Sequence, residues 1–275
     1  MQVSTVIGSL VALASLGSCQ FAKVNDFKAT PTNLGMWAYL PKTLKTPAPI
    51  VVAVHHCQGS AQGYSGETKY QPLAEQHGFI VIYPNSKSGG GCFDVASTAS
   101  LTHNGGGDSQ TIVNMVQHAV DNFGGDPDRV FTVGTSSGAM MTNVLVGAYP
   151  DVFKAGSVYS GVPDGCFFLT KTGEEWGNMV RSYYPDFNGT RPRMQIFHGT
   201  ADSTLAYPNS EAVVQRFRPY REEGHPQHPQ QSYTQTIYGE GTAETAQLVG
   251  YSAQGVGHSV PQHEAMDIAF FGIGA

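Results

Sequence analysis

Residues Val130-Phe131-Thr132-Val133 form a short apolar, β-branched run that stops at Gly134-Thr135-Ser136-Ser137-Gly138. An apolar helical segment, Ala139 to Leu145, follows at once. A buried strand that breaks at G-x-S-x-G into a helix is the pattern of a nucleophile elbow. Each part has a physical reason. The strand carries Ser136 to the edge of a sheet. The turn is so tight that a Cβ at Gly134 or Gly138 would collide. The helix points its N-terminal N–H groups back at the serine, where the N–H of Ser137 can stabilise an oxyanion. Glycine and serine are common in plain loops, so the pentapeptide acquires this meaning only from the strand before it and the helix after it.

The remaining chain supplies a sheet for the elbow to sit on. Ile50 to His55 and Phe79 to Tyr83 are apolar without alternation, as parallel strands buried on both faces are. Met36–Leu40, Ala155–Tyr159, Met194–Phe197, Ser232–Tyr238 and Leu248–Tyr251 also read as strands. Tyr70–His77, Ser109–Phe123, Asn209–Arg218 and a closing segment, Pro261–Phe271, read as helices, with Asp108 as an N-cap. Pro41–Pro49, the glycine-rich stretch from Pro84 to Gly107 and the polar stretch from Arg221 to Gln231 read as loops, and Asp126-Pro127-Asp128 as a turn. Strands alternating with helices predict an α/β fold with a mostly parallel central sheet and helices on both faces.

The 275 residues suffice for one such domain. Only 13% of them are charged and the formal net charge is −6, which argues against nucleic acid and anionic membranes as partners. Val6 to Gly17 is apolar or small, too short to span a bilayer, and Gly17 and Cys19 are small residues suited to cleavage before Gln20. Residues 1–19 therefore read as a secretory leader and 20–275 as one mature domain, exported and monomeric. A lipidated Cys19 in Leu16-Gly17-Ser18-Cys19 is the alternative, disfavoured because the leader lacks Lys and Arg.

A nucleophilic serine needs a base, and the base needs an orienting carboxylate. In an α/β-hydrolase these follow in the order Ser, Asp or Glu, His, on loops after late strands. Asp202 follows Met194–Phe197 through His198-Gly199-Thr200-Ala201, at the carboxyl edge where ligands collect. Asp151 and Asp164 are its rivals. His258, in Gly255-Val256-Gly257-His258-Ser259, follows Leu248–Tyr251 and suits the base; His263 falls in the closing helix, and His225 and His228 in a solvated loop. A second oxyanion donor should come from the loop after an early strand, His55-His56-Cys57-Gln58-Gly59, with the N–H of Cys57 preferred and Gln58 the alternative. No His and Cys have zinc-ligand spacing, so neither metal nor cofactor is expected. Cys57 and Cys92 sit in loops beyond consecutive strands and suit a disulfide in an exported chain, leaving Cys166 free, although three mature cysteines allow other pairings. Asn188-Gly189-Thr190 is an N-glycosylation sequon.

His55-His56-Cys57-Gln58-Gly59-Ser60-Ala61-Gln62, Gly91-Cys92-Phe93-Asp94, Leu101-Thr102-His103-Asn104-Gly105-Gly106-Gly107 and Gly134-Thr135-Ser136-Ser137-Gly138-Ala139-Met140-Met141-Thr142-Asn143 together resemble the fungal acetylxylan and feruloyl esterases of carbohydrate esterase family one. Arg191-Pro192-Arg193-Met194-Gln195-Ile196-Phe197-His198-Gly199 and Gly255-Val256-Gly257-His258 extend the resemblance over nearly all of the mature chain. The same motifs look, more distantly, like those of extracellular polyhydroxyalkanoate depolymerases. The resemblance implies an α/β-hydrolase fold, secretion and ester hydrolysis on xylan-type polysaccharide. Its nucleophile, acid and base fall on Ser136, Asp202 and His258. One departure is the short segment between Cys166 and Glu174-Glu175-Trp176-Gly177, where family members carry a longer segment with a further cysteine. The elbow and the Leu101–Gly107 motif look more like the acetylxylan branch. Glu175-Trp176-Gly177 and Thr234-Gln235-Thr236-Ile237-Tyr238-Gly239 look like the feruloyl branch. Acetate is the expected acyl group and ferulate the alternative. A serine peptidase and a non-catalytic carbohydrate-binding protein on the same fold are the readings from other classes.

Overall fold

The computed structural model describes residues 20–25, 27, 31–163, 171–217, 225–230 and 232–274. In chain order the elements are β1 (Gln20–Val24), β2 (Gly35–Leu40), β3 (Ala48–Val54), α1 (Ala61–Glu67), α2 (Tyr70–His77), β4 (Ile80–Asn85), α3 (Thr98–Leu101), α4 (Asp108–Phe123), β5 (Gly125–Thr135), α5 (Ser137–Ala148) and β6 (Ala155–Tyr159). They continue with α6 (Gly173–Tyr183), β7 (Arg193–Gly199), α7 (Pro208–Phe217), β8 (His225–Gln230), β9 (Tyr233–Tyr238), β10 (Leu248–Ala253) and α8 (Glu264–Phe270). Among the described residues the strands make one sheet in the order β1-β2-β4-β3-β5-β6-β7-β10-β9-β8. From β4 to β10 neighbours run parallel, and the flanking strands on both sides are antiparallel. This is the α/β-hydrolase architecture.

The non-alternating sequences explain the layering. Successive side chains of a strand point to opposite faces. Ile50, Val52 and Val54 of β3 pack with Ile112, Met115 and Val116 of α4 and Val144 of α5. Val51 and Ala53 between them pack on the other face with Tyr64 of α1, Tyr70 of α2 and Ile268 of α8. Both faces are thus covered, and every residue of β3 is buried. Helix α5 is buried along its whole length, as a helix without a polar face must be.

Several local expectations are corrected. Arg221–Gln231 was expected to be a solvated loop, but His225–Gln230 pairs antiparallel with β9 as the sheet's last strand. An edge strand exposes one row of backbone groups to water, so it tolerates Pro226, Pro229 and a polar sequence. The Asp126–Asp128 turn lies inside β5, which starts at Gly125 opposite Ala48 and shifts register before Val130. Asp108 is the first residue of α4 rather than its cap, which is Gly107; its carboxylate accepts the N–H of Asp94 instead. β1, α1, α3 and α6 lie where no element was expected, and α6 starts in a capping box between Thr172 and Glu175. Residues 1–19, Asp164 and Cys166 lie outside the described residues. No helix among the described residues is long and apolar enough to cross a membrane. The Asn188–Thr190 sequon is exposed.

α8 is docked on the sheet by one buried carboxylate. Asp267 accepts hydrogen bonds from Tyr70 (2.6 Å) of α2, Ser157 and Tyr159 (2.9 Å) of β6, and the Gln195 amide (2.6 Å) of β7. All are neutral donors, so burial dominates and pushes its carboxyl from the ordinary 3.8 up to about 6, against the pull of those bonds. The folded protein therefore holds this proton more tightly than the unfolded chain does. The stability contributed by Asp267 falls as pH rises from about 4 to about 6. Burial also lowers the pKa of His55 and His198, so the test compares wild type with Asp267→Asn, whose amide cannot ionise. The stability advantage of wild type over the variant should shrink between pH 5 and pH 7, by about 1 kcal/mol. Urea unfolding at both pH values checks this, and an advantage that grows with pH contradicts it.

Candidate active site

β5 ends at Thr135 and α5 begins at Ser137, which leaves Ser136 alone at the turn with φ 55° and ψ −114°. A left-handed φ is costly for a residue with a side chain and survives where the surroundings enforce it. Here the two glycines do so. A Cβ on Gly134 would sit 2.2 Å from the Gly138 carbonyl oxygen, and one on Gly138 would sit 2.0 Å from that of Val54 in β3. The helix therefore starts in backbone contact with the neighbouring strands, and the Ser136 N–H donates to the Tyr159 carbonyl (2.9 Å) at the end of β6.

The structure brings the three expected side chains together. His258 Nε2 lies 3.0 Å from Ser136 Oγ, and His258 Nδ1 lies 2.8 Å from Asp202 Oδ2. Asp202 sits in the loop after β7 and His258 in the loop after β10, adjacent parallel strands whose carboxyl ends share one edge. Asp202 Oδ1 accepts the N–H groups of Thr204 (2.9 Å) and Leu205 (2.8 Å), an Asx turn that orients the carboxylate. Burial alone would raise this carboxyl, but the bonds from His258, Leu205 and Thr204 outweigh it and hold it below the usual carboxylate range. An ionised Asp202 keeps the hydrogen on His258 Nδ1 and leaves Nε2 free to accept from the Ser136 hydroxyl.

Two partners of this group had no sequence signal. His198, read above only as part of a strand-end loop, is fully buried. Its Nε2 lies 2.8 Å from the Leu205 carbonyl and 3.2 Å from Asp202 Oδ2. Both are acceptors, so Nε2 carries the hydrogen. Burial pushes the ring's pKa down and keeps it neutral, and among the described residues nothing bonds Nδ1. Gln262, four residues after His258, donates to Thr135 Oγ1 (2.8 Å) and to the Tyr64 hydroxyl (2.9 Å), which ties the histidine loop to the elbow. Nothing in G-V-G-H-S marks that clamp, because its partners come from β5 and α1.

The rivals lie elsewhere. Asp151 is 3.9 Å from His103 Nδ1, at the far end of α5. His263 caps α8, its N–H donating to the Tyr159 hydroxyl and its ring lying against Phe197 and Tyr233. His225 and His228 belong to the edge strand β8. Of the two candidate donors in the early loop, Gln58 spends its N–H on the Gly90 carbonyl (2.7 Å). The Cys57 N–H has no protein acceptor among the described residues. The Ser137 N–H opens α5 and has no intrahelical acceptor. Cys57 and Cys92 form the expected disulfide. Ser136 opens into a cleft of about 610 Å³ with an apolar wall of Phe93, Val95, Met140 and Leu205. The cleft is also lined by Gln58 and an exposed His56–Glu67 pair 3.1 Å apart. Among the described residues no cluster of three or more His, Cys, Asp or Glu side chains could hold a metal ion.

The chain is similar to known proteins over nearly its whole length. Residues 35–170 match the family described as Esterase PHB depolymerase. Acetylxylan esterase A of Aspergillus awamori is 41% identical over 98% of this chain and 96% of its own. Feruloyl esterase B of Neurospora crassa is 41% identical over 98% of both chains. The solved acetyl xylan esterase from Aspergillus awamori superposes with a TM-score of 0.85 at 42% identity, covering 92% of this chain and 99% of its own. With such identity over almost its whole length, the chain belongs to the family of fungal acetylxylan and feruloyl esterases, and it is a carboxylic ester hydrolase of the α/β-hydrolase fold.

Proposed function

We propose that this protein is a secreted acetylxylan esterase whose reaction runs through an acyl-enzyme on Ser136. The observation that carries the reading is the unbroken chain from Ser136 Oγ through His258 to Asp202, at the floor of the cleft. His258 Nε2 takes the Ser136 proton as Oγ attacks the ester carbonyl. Asp202 holds the imidazole in the required tautomer and stabilises the imidazolium that forms. The N–H groups of Ser137 and Cys57 receive the charge that develops on the carbonyl oxygen. His258 returns its proton to the departing sugar hydroxyl, and water then releases the acid by the same route. No cofactor takes part.

Residues 1–19 act as the export signal in this reading, and 20–275 form one catalytic domain. The disulfide supports an oxidising destination. Acetate is preferred as the acyl group on the likeness of the elbow and of Leu101–Gly107 to the acetylxylan branch. Feruloyl ester hydrolysis is the second reading. It is favoured by a feruloyl esterase relative as similar as the acetylxylan esterase ones, and by the apolar cleft wall, which suits an aromatic acid.

Three outcomes test these assignments. Ser136→Ala should fold normally and hydrolyse 4-nitrophenyl acetate at least about 10³-fold more slowly, because the three residues act as a unit; wild-type turnover in the folded variant refutes the nucleophile. On native acetylated arabinoxylan, chromatography should detect acetate release in excess of ferulate, and ferulate without acetate reverses the acyl assignment. His198→Phe keeps the ring and removes one donor from Asp202. It should lower kcat/KM about tenfold, the worth of a hydrogen bond to a charged group. An unchanged kcat/KM assigns His198 to packing alone.

A further inference from the structure

The two N–H groups assigned to the oxyanion come from different parts of the chain. Cys57 lies in the loop after β3, and Ser137 is the first residue of α5. An oxyanion site works only if both donors sit within hydrogen-bond reach of one oxygen, so their spacing must be held. A third segment reaches both. Cys92 is joined to Cys57 by the disulfide, and the N–H of the next residue, Phe93, donates to Ser137 Oγ at 2.9 Å.

The segment from Ser86 to Phe93 is itself well anchored. The Ser86 N–H donates to His55 Nε2 (3.1 Å), and the Gln58 N–H donates to the Gly90 carbonyl (2.7 Å). The hydroxyls of Ser86 and Ser88 both donate to the Cys92 carbonyl. Because His55 Nε2 accepts, its Nδ1 carries the hydrogen and donates to the His56 carbonyl at 2.7 Å. That carbonyl belongs to the same peptide group as the Cys57 N–H, which therefore points the opposite way. Gln58, in the left-handed region at φ 62°, is held there by these contacts.

We propose that the Cys92–Phe93 dipeptide sets the spacing of the two oxyanion donors, so that the disulfide is a positioning element of the reaction and its reduction slows acyl transfer. This rests on the oxyanion reading given above. Both cysteines are partly exposed, so a soluble reductant can reach them. A phosphine reduces the bond with two electrons and two protons to give two thiols, and is itself converted to the phosphine oxide with oxygen from water. The donors act on charge present in the transition state and not in the bound ester, so loosening them lowers kcat and leaves KM nearly unchanged.

The test uses the wild-type protein, reduced with tris(2-carboxyethyl)phosphine and capped with iodoacetamide, assayed on 4-nitrophenyl acetate. We expect kcat to fall about tenfold to a hundredfold, less than or equal to the loss of one donor. KM should stay within about twofold, and the inhibition constant of a phenylboronic acid should rise in step with the loss in kcat. Ser137→Ala keeps the peptide N–H but releases Phe93, and should show the same split in the oxidised protein; it decides the matter should the reduced protein unfold. A folded, reduced and capped protein with unchanged kcat, or an oxidised Ser137→Ala with unchanged kcat, overturns the proposal. Diethyl 4-nitrophenyl phosphate separates the two levels. Labelling of Ser136 in the oxidised protein with unaltered kcat on reduction defeats the brace alone, whereas no labelling of the oxidised protein defeats the nucleophile and the brace together.

Discussion

The closest backbone contact at the site lies between Gly138 and the end of β3. With no side chain at Gly138, the first turn of α5 rests against the Val54 and His55 carbonyls, and Gly134 lets the strand before it pass under the Gly138 carbonyl. That contact leaves Ser136 no room except at positive φ, which lifts its side chain clear of the sheet. The same contact sets α5 beside the loop that holds Cys57, so the proposed nucleophile and the proposed oxyanion donors are located by one packing event. The cost of the strained serine is carried by a helix buried at every position.

Two buried aspartates show how neighbours decide charge. Asp202 accepts two backbone N–H groups and an imidazole that can become cationic, and its carboxyl lies below the ordinary range. Asp267 is enclosed more deeply and its partners are only hydroxyls and an amide, so burial wins. The first is kept ionised beside the reacting groups. The second ties α2, β6, β7 and α8 into one unit. The networks meet at Tyr159, whose hydroxyl bonds Asp267 and whose carbonyl accepts the Ser136 N–H. Stability and site geometry therefore share a residue.

Relatives named for acetyl and for feruloyl ester hydrolysis match this chain equally well over nearly its whole length. Two kinds of side chain line the cleft around Ser136. Phe93, Val95, Met140 and Leu205 offer apolar area to an acyl group, and His56, Glu67 and Gln58 offer polar groups to a sugar. These residues come from α1, α5 and the loops after β3, β4 and β7.

What the amino-acid order determined by itself is what depends on near neighbours along the chain. Ile50–Val54 and Val130–Val133 read as buried strands, because each is short, rich in β-branched residues and free of charge on either face. The glycines of the 134–138 turn marked a place where backbone must approach backbone. The order of Ser136, Asp202 and His258, each just past a strand, matched a known template. Only the tertiary structure showed that the Gln58 N–H is taken by the Gly90 carbonyl, which supports Cys57 over Gln58 as the proposed donor. The same holds for His198 as a second donor to Asp202, for Gln262 as a clamp, and for Asp267 as the anchor of α8. The polar, proline-containing strand β8 was invisible for a related reason. An edge strand is made by its neighbour's free hydrogen-bonding groups and not by its own hydrophobic pattern. A hydrogen bond between residues far apart in sequence leaves no periodicity in either segment, and so it becomes legible only when the fold brings the two together.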